Sequence, residues 1–226
     1  MKEELIKLAE KIKDEELRKK VIELLKDPKL TNKYFKNYKP EDWEKAASVF
    51  SVGGPLGLGA VERDVLHHTI TLTEIVIKVA DVIEKKFGIP LDKDSLIAAS
   101  LLHDFAKLFE FKRDEKGELE HTGVMLDHTI LGTAELYKRN FPEKVIHIVA
   151  SHYGESGPTP PRNFEALIFH YLDSMLSLVE YFFYAKMQQA VAEQMPTEKM
   201  IVIPEEELKK LLEQKMVSDE KKERKK

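Results

Sequence analysis

The sequence predicts an all-α fold, and three features of the chain lead to that prediction. Apolar residues recur at helical spacing along most of the 226 residues. Proline and glycine residues, such as Pro28 and Gly88, stand where these apolar runs stop. Hydrophobic residues make up 42% of the chain and charged residues 34%, which fits a globular domain with a charged surface. We therefore expect a helical bundle with a single main domain and an N-terminal helical extension.

The apolar pattern predicts the individual elements in order. Apolar residues repeat at helical spacing up to Pro28, and a second, short helix is expected over 43–50, followed by a glycine-rich loop at 53–59. Long helices are predicted over 61–87, 95–109, 127–139, 145–152 and 163–189, with a polar hairpin-like loop over 110–123. Near the end we expect an extended stretch at 200–203, a last helix from Pro204 and a charged tail. The predicted divisions are 1–60, 61–190 and 191–226.

Composition limits the chemistry that the chain can perform. The net charge of -4 provides no large basic surface that would attract nucleic acid nonspecifically. There are no cysteines, so disulfides and thiolate metal sites are excluded, and a tightly held transition metal must use His, Asp or Glu. The N-terminal residues do not resemble a signal peptide, and we expect no membrane-spanning run. These features favour a cytoplasmic protein.

Helical periodicity separates two adjacent histidines. The stripe through His68 is apolar and continues through Leu72, Ile75, Val79 and Ile83, whereas the stripe through His67 is polar. His68 is therefore predicted to face the core and His67 to face solvent. A buried imidazole is costly unless something pairs with it, and a metal ion is one such partner.

Other polar residues interrupt apolar helix faces in the same way. His103 and Asp104 follow a very apolar run, and they are either a satisfied core pair or two metal ligands. His152 and Asp173 also lie on apolar stripes, but the neighbours of His128 do not decide its direction. Of the remaining histidines, His121 and His147 are interpreted as surface residues. His170, one turn before Asp173, either contacts a ligand residue or belongs to the core, and core is favoured.

The spacing of these residues resembles a known family. The segments that carry the resemblance are His68-Thr69-Ile70, 101–107 with the pair His103-Asp104, Asp127-His128, 151–154 and Leu172-Asp173. In this order they resemble the HD superfamily of metal-dependent phosphohydrolases, from about residue 66 to 175, and more narrowly the subset that binds two metal ions. Within it, the segments 122–128 and 152–158 are most similar to the HD domain of bacterial 3′→5′ exoribonucleases.

Three departures from the exoribonuclease pattern are visible. Tyr153 stands where the family often has a second histidine, and Phe105-Ala106 replaces the usual Ile-Gly. No OB-fold segment for nucleic acid appears at the N-terminus, which puts an RNA substrate in question.

The resemblance implies a ligand set and roles. His68, His103, Asp104 and Asp173 would hold one metal ion, and Asp104, His128 and His152 would hold the other, with Asp104 bridging. Nitrogen-rich ligation favours Mn, Fe, Co, Ni or Zn over Mg. Asp104 and Lys107 would be the catalytic residues; Lys107 either contacts phosphate, which we favour, or only forms a salt bridge with Asp104. Glu155 and Arg162 are weaker candidates for contacting substrate.

The implied activity is hydrolysis of a phosphate ester in a nucleotide or similar metabolite. Its sharper form is a 3′→5′ exoribonuclease acting on short oligonucleotides. Two alternatives share the same ligands, namely a non-catalytic binding module stabilised by metal and an HD-type di-iron oxygenase. The aromatic run 181–184 is interpreted as core or as the surface of a homo-oligomer.

Overall fold

The computed structural model describes residues 2–51 and 59–192, with side chains to residue 187, and it confirms a mostly helical fold. The α-helices in these ranges are α1 Lys2–Ala9, α2 Glu15–Lys26, α3 Val65–Phe87, α4 Lys93–Leu102, α5 His128–Lys138, α6 Glu143–Ala150 and α7 Phe164–Ala192. The short strands are β1 Ala47–Phe50, β2 Val61–Asp64, β3 Phe111–Arg113 and β4 Leu119–His121. Most of the glycine-rich loop and the predicted elements after residue 192 lie outside the described residues.

Aspartate side chains cap the N-termini of four of the helices. Asp14, Asp64, Asp92 and Asp127 each accept a hydrogen bond from a backbone N–H in the first turn that follows. Gly88 ends α3 in the left-handed conformation, as its position in the sequence predicts. Two of these caps, Asp64 and Asp127, begin the helices that carry His68 and His128.

The chain divides into two compact units, 1–48 with 63–177 and 49–62 with 178–226. The first unit contains a large apolar core to which helices α1 to α6 and the first half of α7 contribute. The N-terminal helices belong to this core, where Leu5 and Val21 are fully buried. The described part of the second unit has a small cluster around Tyr181, whose hydroxyl donates to the carbonyl of Gly59 at 3.1 Å. The predicted divisions at 60 and 190 stay a prediction.

Three segments differ from the sequence-based expectation. The predicted helix over 43–50 is wrong, because a turn leads directly into β1. The predicted helix over 61–87 begins only at Val65, after β2. The predicted helix over 95–109 ends at Leu102, and Asp104 adopts φ -104° and ψ 5° before a 3-10 helix over Phe105–Phe109. This break turns the Asp104 side chain away from the helical series, an effect that apolar periodicity does not reveal.

The polar stretch after Phe109 forms a hairpin, as predicted. Strands β3 and β4 pair antiparallel, with Phe111 opposite His121. Thr122 then donates through its backbone N–H to the carbonyl of Glu110 at 2.8 Å. The hairpin therefore joins Glu110 to the segment that leads into α5.

One helix does not meet the expectation that no run could span a membrane. The segment Phe164–Met187 of α7 is long and apolar enough by length and composition alone, and 39% of its most apolar window is buried. A core helix of a soluble protein passes the same test, so the observation is weak. Phe169 and Asp173 belong to the buried part of this helix, whereas Tyr171 and Phe183 are exposed.

Candidate metal centre

Two imidazoles face each other in the core of the first unit. His68, in the first turn of α3, and His103, at the end of α4, are 0% and 1% exposed. Their Nε2 atoms lie 3.3 Å apart, and at most one hydrogen bond can form between them. The His103 ring also packs edge-on against Phe169 of α7, with the ring centroids 5.3 Å apart. This pair is held by packing from three helices.

Asp104 lies between this pair and two further histidines. Its Oδ2 is 3.4 Å from His103 Nε2 and 3.9 Å from His68 Nε2. Its Oδ1 is 3.3 Å from His128 Nε2. The carboxylate is 1% exposed, and its Oδ1 accepts no hydrogen bond from the described part of the chain. Asp104 is thus the residue that the two groups of histidines share.

The second group contains His128 and His152. His128 is the first residue of α5, and His152 follows the end of α6. Their rings lie 5.5 Å apart between centroids, and the His152 ring lies 5.4 Å from that of His103. Two groups of possible ligand atoms have mutual distances within 4.8 Å. One group is Asp104, His128 and His152, and the other is His68, His103 and Asp104. The structure therefore brings together the predicted ligands of these two groups.

Asp173 completes the first group from α7. Its Oδ1 lies 3.1 Å from His68 Nε2, and the residue is 8% exposed. Burial acts to raise the pKa of Asp173, but the hydrogen bond from His68 and the charge of His103 lower it well below its ordinary value. Burial likewise opposes ionisation of Asp104, yet the neighbouring charges of His103 and Lys107 hold its pKa well below the ordinary value. Both carboxylates are therefore ionised at neutral pH.

Backbone and carboxylate contacts orient three of the imidazoles. The Nδ1 atom of His103 lies 2.9 Å from the carbonyl of Ser100, and that of His152 lies 2.7 Å from the carbonyl of Val149. A carbonyl can only accept, so Nδ1 carries the proton and Nε2 keeps its lone pair. His128 Nδ1 contacts Glu110 Oε1 at 3.2 Å with the same consequence. Burial also lowers the pKa of His152 to about 3, which keeps this imidazole neutral.

These features fit divalent metal ions. Buried imidazole lone pairs and two ionised carboxylates converge, and one carboxylate oxygen is without a hydrogen-bond donor among the described residues. A nitrogen and oxygen donor set of this kind is typical of first-row transition metals. Glu110 and Asp127 form a third group around His128, but Glu110 contacts Nδ1 and Asp127 caps α5. These two residues orient His128.

Some predicted residues lie apart from this cluster. Glu155 and Arg162 are exposed, and no contact found among the described residues joins either to the ligand groups. The backbone N–H of Arg162 instead donates to His147 Nε2 at 2.9 Å. His67 is exposed, as predicted. The interpretation of His170 as core needs correction, because it is only half-buried and its Nδ1 lies 2.7 Å from the carbonyl of His152.

Sequence reasoning missed Arg63, which contacts both ligand groups. Its Nη1 is 3.2 Å from His68 Nδ1, and its Nη2 is 3.3 Å from Asp104 Oδ2. Because a guanidinium can only donate, this contact places the His68 proton on Nε2. Ligation of a metal through His68 Nε2 therefore requires the Arg63 contact to open. The alternation of Val61 and Arg63 on the buried side of β2 was the only sequence signal.

Two more residues near His128 were missed. Glu110 and Tyr153 contact His128 from opposite ends of its ring, Glu110 at Nδ1 and the Tyr153 hydroxyl at Nε2, 3.2 Å away in each case. Burial and the nearby carboxylates of Asp127 and Asp104 raise the pKa of Tyr153 above its ordinary value, so its phenol stays protonated. Nothing in the local sequence of either residue indicates these contacts.

Comparison with known proteins gives the same class of protein. A model of the HD domain family matches residues 65–203. The chain is 46% identical over 173 residues to the dihydroneopterin 2′,3′-cyclic phosphate phosphodiesterase of Methanocaldococcus jannaschii, covering 76% of this chain and 67% of that protein. It is 28% identical over 120 residues to the 3′-5′ exoribonuclease YhaM of Bacillus subtilis, covering 48% of this chain and 37% of that enzyme. No solved structure matches the chain.

The fold, the buried His/Asp cluster and these matches define a metal-dependent hydrolase of phosphate esters. The chain belongs to the HD domain family. The resemblance seen in the sequence is thereby confirmed at the level of family and reaction class.

Proposed function

We propose that this protein is a phosphodiesterase that opens a 2′,3′-cyclic phosphate on a small pterin-type or nucleotide-type substrate. The observation that carries the proposal is the position of Asp104, whose two oxygens face the two groups of buried histidines. The 46% identity to a phosphodiesterase of dihydroneopterin 2′,3′-cyclic phosphate supports this choice of substrate. Relatives that are phosphodiesterases also favour hydrolysis over the oxygenase and binding-module alternatives.

The six predicted ligands would bind two metal ions from the series Mn, Fe, Co, Ni and Zn, with Asp104 shared by both. The first would be held by His68, His103, Asp104 and Asp173, and the second by Asp104, His128 and His152. Divalent ions bound there would lower the pKa of a water molecule and offset the charge that develops on the phosphoryl oxygens. Asp104 would be a ligand of both ions. The Nδ1 atoms of His103 and His152 contact backbone carbonyls, which leaves the Nε2 lone pair of each ring available to a metal ion.

Lys107 is the cation best placed to contact the phosphate. Its Nζ lies 2.8 Å from Asp104 Oδ2, and the residue is 8% exposed. The salt bridge to Asp104 orients the ammonium beside the shared carboxylate, where a bound phosphoryl oxygen would lie within its reach. The two interpretations of Lys107 are therefore compatible. Glu155 and Arg162 are exposed and are proposed only as contacts with the part of the substrate away from the phosphate.

The test combines metal analysis with a substrate panel. Protein purified without oxygen would be analysed for metal, and the metal found would be restored for assays. Dihydroneopterin 2′,3′-cyclic phosphate, 2′,3′-cyclic AMP and an oligoribonucleotide would be compared in water enriched in oxygen-18. We expect a cyclic phosphate to give a 2′- or 3′-monophosphate that contains one heavy oxygen. Absence of turnover on every cyclic phosphate with each of the five metals would contradict the proposal.

The exoribonuclease alternative rests on the 28% identity to the Bacillus enzymes. It predicts stepwise release of mononucleotides from the 3′ end of the oligoribonucleotide, with little activity on the cyclic phosphates. The modest negative net charge favours the smaller substrate. A cytoplasmic location, which the composition favours, remains part of the same proposal.

A further inference from the structure

Tyr153 is the exposed member of the metal centre. It is 40% exposed, whereas each of the six predicted ligands is at most 8% exposed. The Tyr153 ring packs on the His152 ring with centroids 4.5 Å apart and meets the His128 ring edge-on at 5.4 Å. A molecule that reaches the second ligand group from solvent on this side meets the phenol of Tyr153.

The turn after α6 holds this phenol in place. Gly154 has φ +61°, and a Cβ there would lie 2.3 Å from His170 Nε2, so only glycine fits. The His170 ring is in turn held by its Nδ1 contact with the carbonyl of His152 at 2.7 Å. Because the backbone on both sides of Tyr153 is constrained, its side chain has a defined position relative to His128.

The Tyr153 hydroxyl points at the nitrogen through which His128 would bind metal. Its oxygen lies 3.2 Å from His128 Nε2, and the same Nε2 lies 3.3 Å from Asp104 Oδ1. Glu110 fixes the proton on His128 Nδ1, so Nε2 accepts the hydrogen bond from the phenol. When His128 Nε2 binds a metal ion, its lone pair no longer accepts a hydrogen bond from Tyr153. The Tyr153 hydroxyl would then be free to donate to another group bound beside the ion.

We propose that Tyr153 then donates its hydrogen bond to a non-bridging oxygen of the phosphate group bound at the metal centre. This inference rests on the proposed function only in requiring a phosphate group at the site, and not on the identity of the substrate. The distribution of charge around the site supports this role of Tyr153. The cations Arg63 and Lys107 both contact Asp104 Oδ2, whereas the carboxylates of Glu110 and Asp127 lie beside His128. Next to those carboxylates, Tyr153 supplies a neutral donor.

The test measures binding of inorganic phosphate to the metal-loaded protein by calorimetry. Tyr153→Phe removes the hydroxyl and keeps the ring, and we expect phosphate to bind about tenfold more weakly while metal content is unchanged. The matched control is Tyr137→Phe, since Tyr137 is 74% exposed on α5 and has no role in the ligand groups. Tyr153→His restores a donor, and we expect it to recover part of the lost affinity.

Three results would overturn the assignment. These are phosphate binding by Tyr153→Phe equal to that of the wild-type protein, loss of metal from Tyr153→Phe, or absence of phosphate binding by the metal-loaded wild-type protein. Thermal unfolding followed by circular dichroism checks that each variant is folded, and the histidine variant provides the comparison if the phenylalanine variant is not. If the wild-type protein binds phosphate but hydrolyses no cyclic phosphate, the proposed function fails. The role of Tyr153 would then still be decided by the phosphate affinities.

Discussion

The two halves of the candidate metal centre are built in different ways. The first half, with His68, His103 and Asp173, comes from α3, from the end of α4 and from α7, which pack around it in the core. The second half, with His128 and His152, comes from a helix start and from the turn after a helix, next to half-exposed Tyr153. We therefore expect the first half to contribute to folding, and the second half to affect metal binding and catalysis without unfolding the protein.

The largest effect is expected where the two halves meet. Asp104→Asn keeps the size of the side chain but removes the charge that both ligand groups share. We expect loss of metal from both groups and a fall in kcat of more than about 1000-fold. Metal analysis and phosphodiesterase assays would be compared with the exposed control Asp81→Asn. An Asp104→Asn protein that retains two ions and normal turnover would show that the halves are independent.

Removing one histidine from each half tests whether the two halves contribute differently to the stability of the protein. In the metal-free protein, His68→Ala leaves the Asp173 carboxylate buried without its 3.1 Å partner, at a cost of about 3 kcal/mol in the free energy of unfolding. His128→Ala, at a helix start beside half-exposed groups, should cost less than about 1 kcal/mol. Urea denaturation followed by circular dichroism measures both. Equal destabilisation by the two substitutions would contradict the contrast between the halves.

Acid should destabilise the metal-free protein through His152. Burial holds the folded-state pKa of His152 at about 3, below the ordinary value of 6.5, so the unfolded chain binds an extra proton between these values. Stability is therefore complete above pH 6.5 and falls as the pH decreases towards 3. Between pH 7 and pH 5 we expect a loss of about 2 kcal/mol. Urea denaturation at both pH values would test this, and His152→Gln should remove this part of the difference.

The smallest expected effect concerns the orientation of His128. Glu110→Gln weakens the acceptor at Nδ1 and should lower the metal affinity of the second half about tenfold, with the first half unchanged. Competition with a chelator measures the affinity of each ion. The matched control is Glu115→Gln, because Glu115 is exposed in the β3–β4 hairpin. Equal loss of both ions would show that Glu110 acts on the fold as a whole.

Sequence patterns predicted the burial of His68 in the first half but not the direction of His128 in the second. Residues three and four positions apart share a helix face, so the apolar stripe that continues from His68 along α3 was enough to predict its burial. His128 is the first residue of α5, and its face continues through Leu131, Gly132 and Glu135, a mixed set that does not indicate burial. Its direction came only from the resemblance to a family. The failed helix at 43–50 shows the same limit, since a short apolar run does not distinguish helix from strand.

The sequence by itself determined the mostly helical fold, the burial of His68 and the family to which the ordered His and Asp residues point. Those properties depend on periodicity and on spacing along the chain, which are local or one-dimensional. Only the tertiary structure decided that α4 ends before Asp104 and that Arg63, Glu110 and Tyr153 contact the predicted ligands. The contact of Arg63 with His68 is local, because the two residues are five positions apart. The contacts of Arg63 with Asp104 and of Glu110 and Tyr153 with His128 join segments that packing brings together, and no local pattern encodes them.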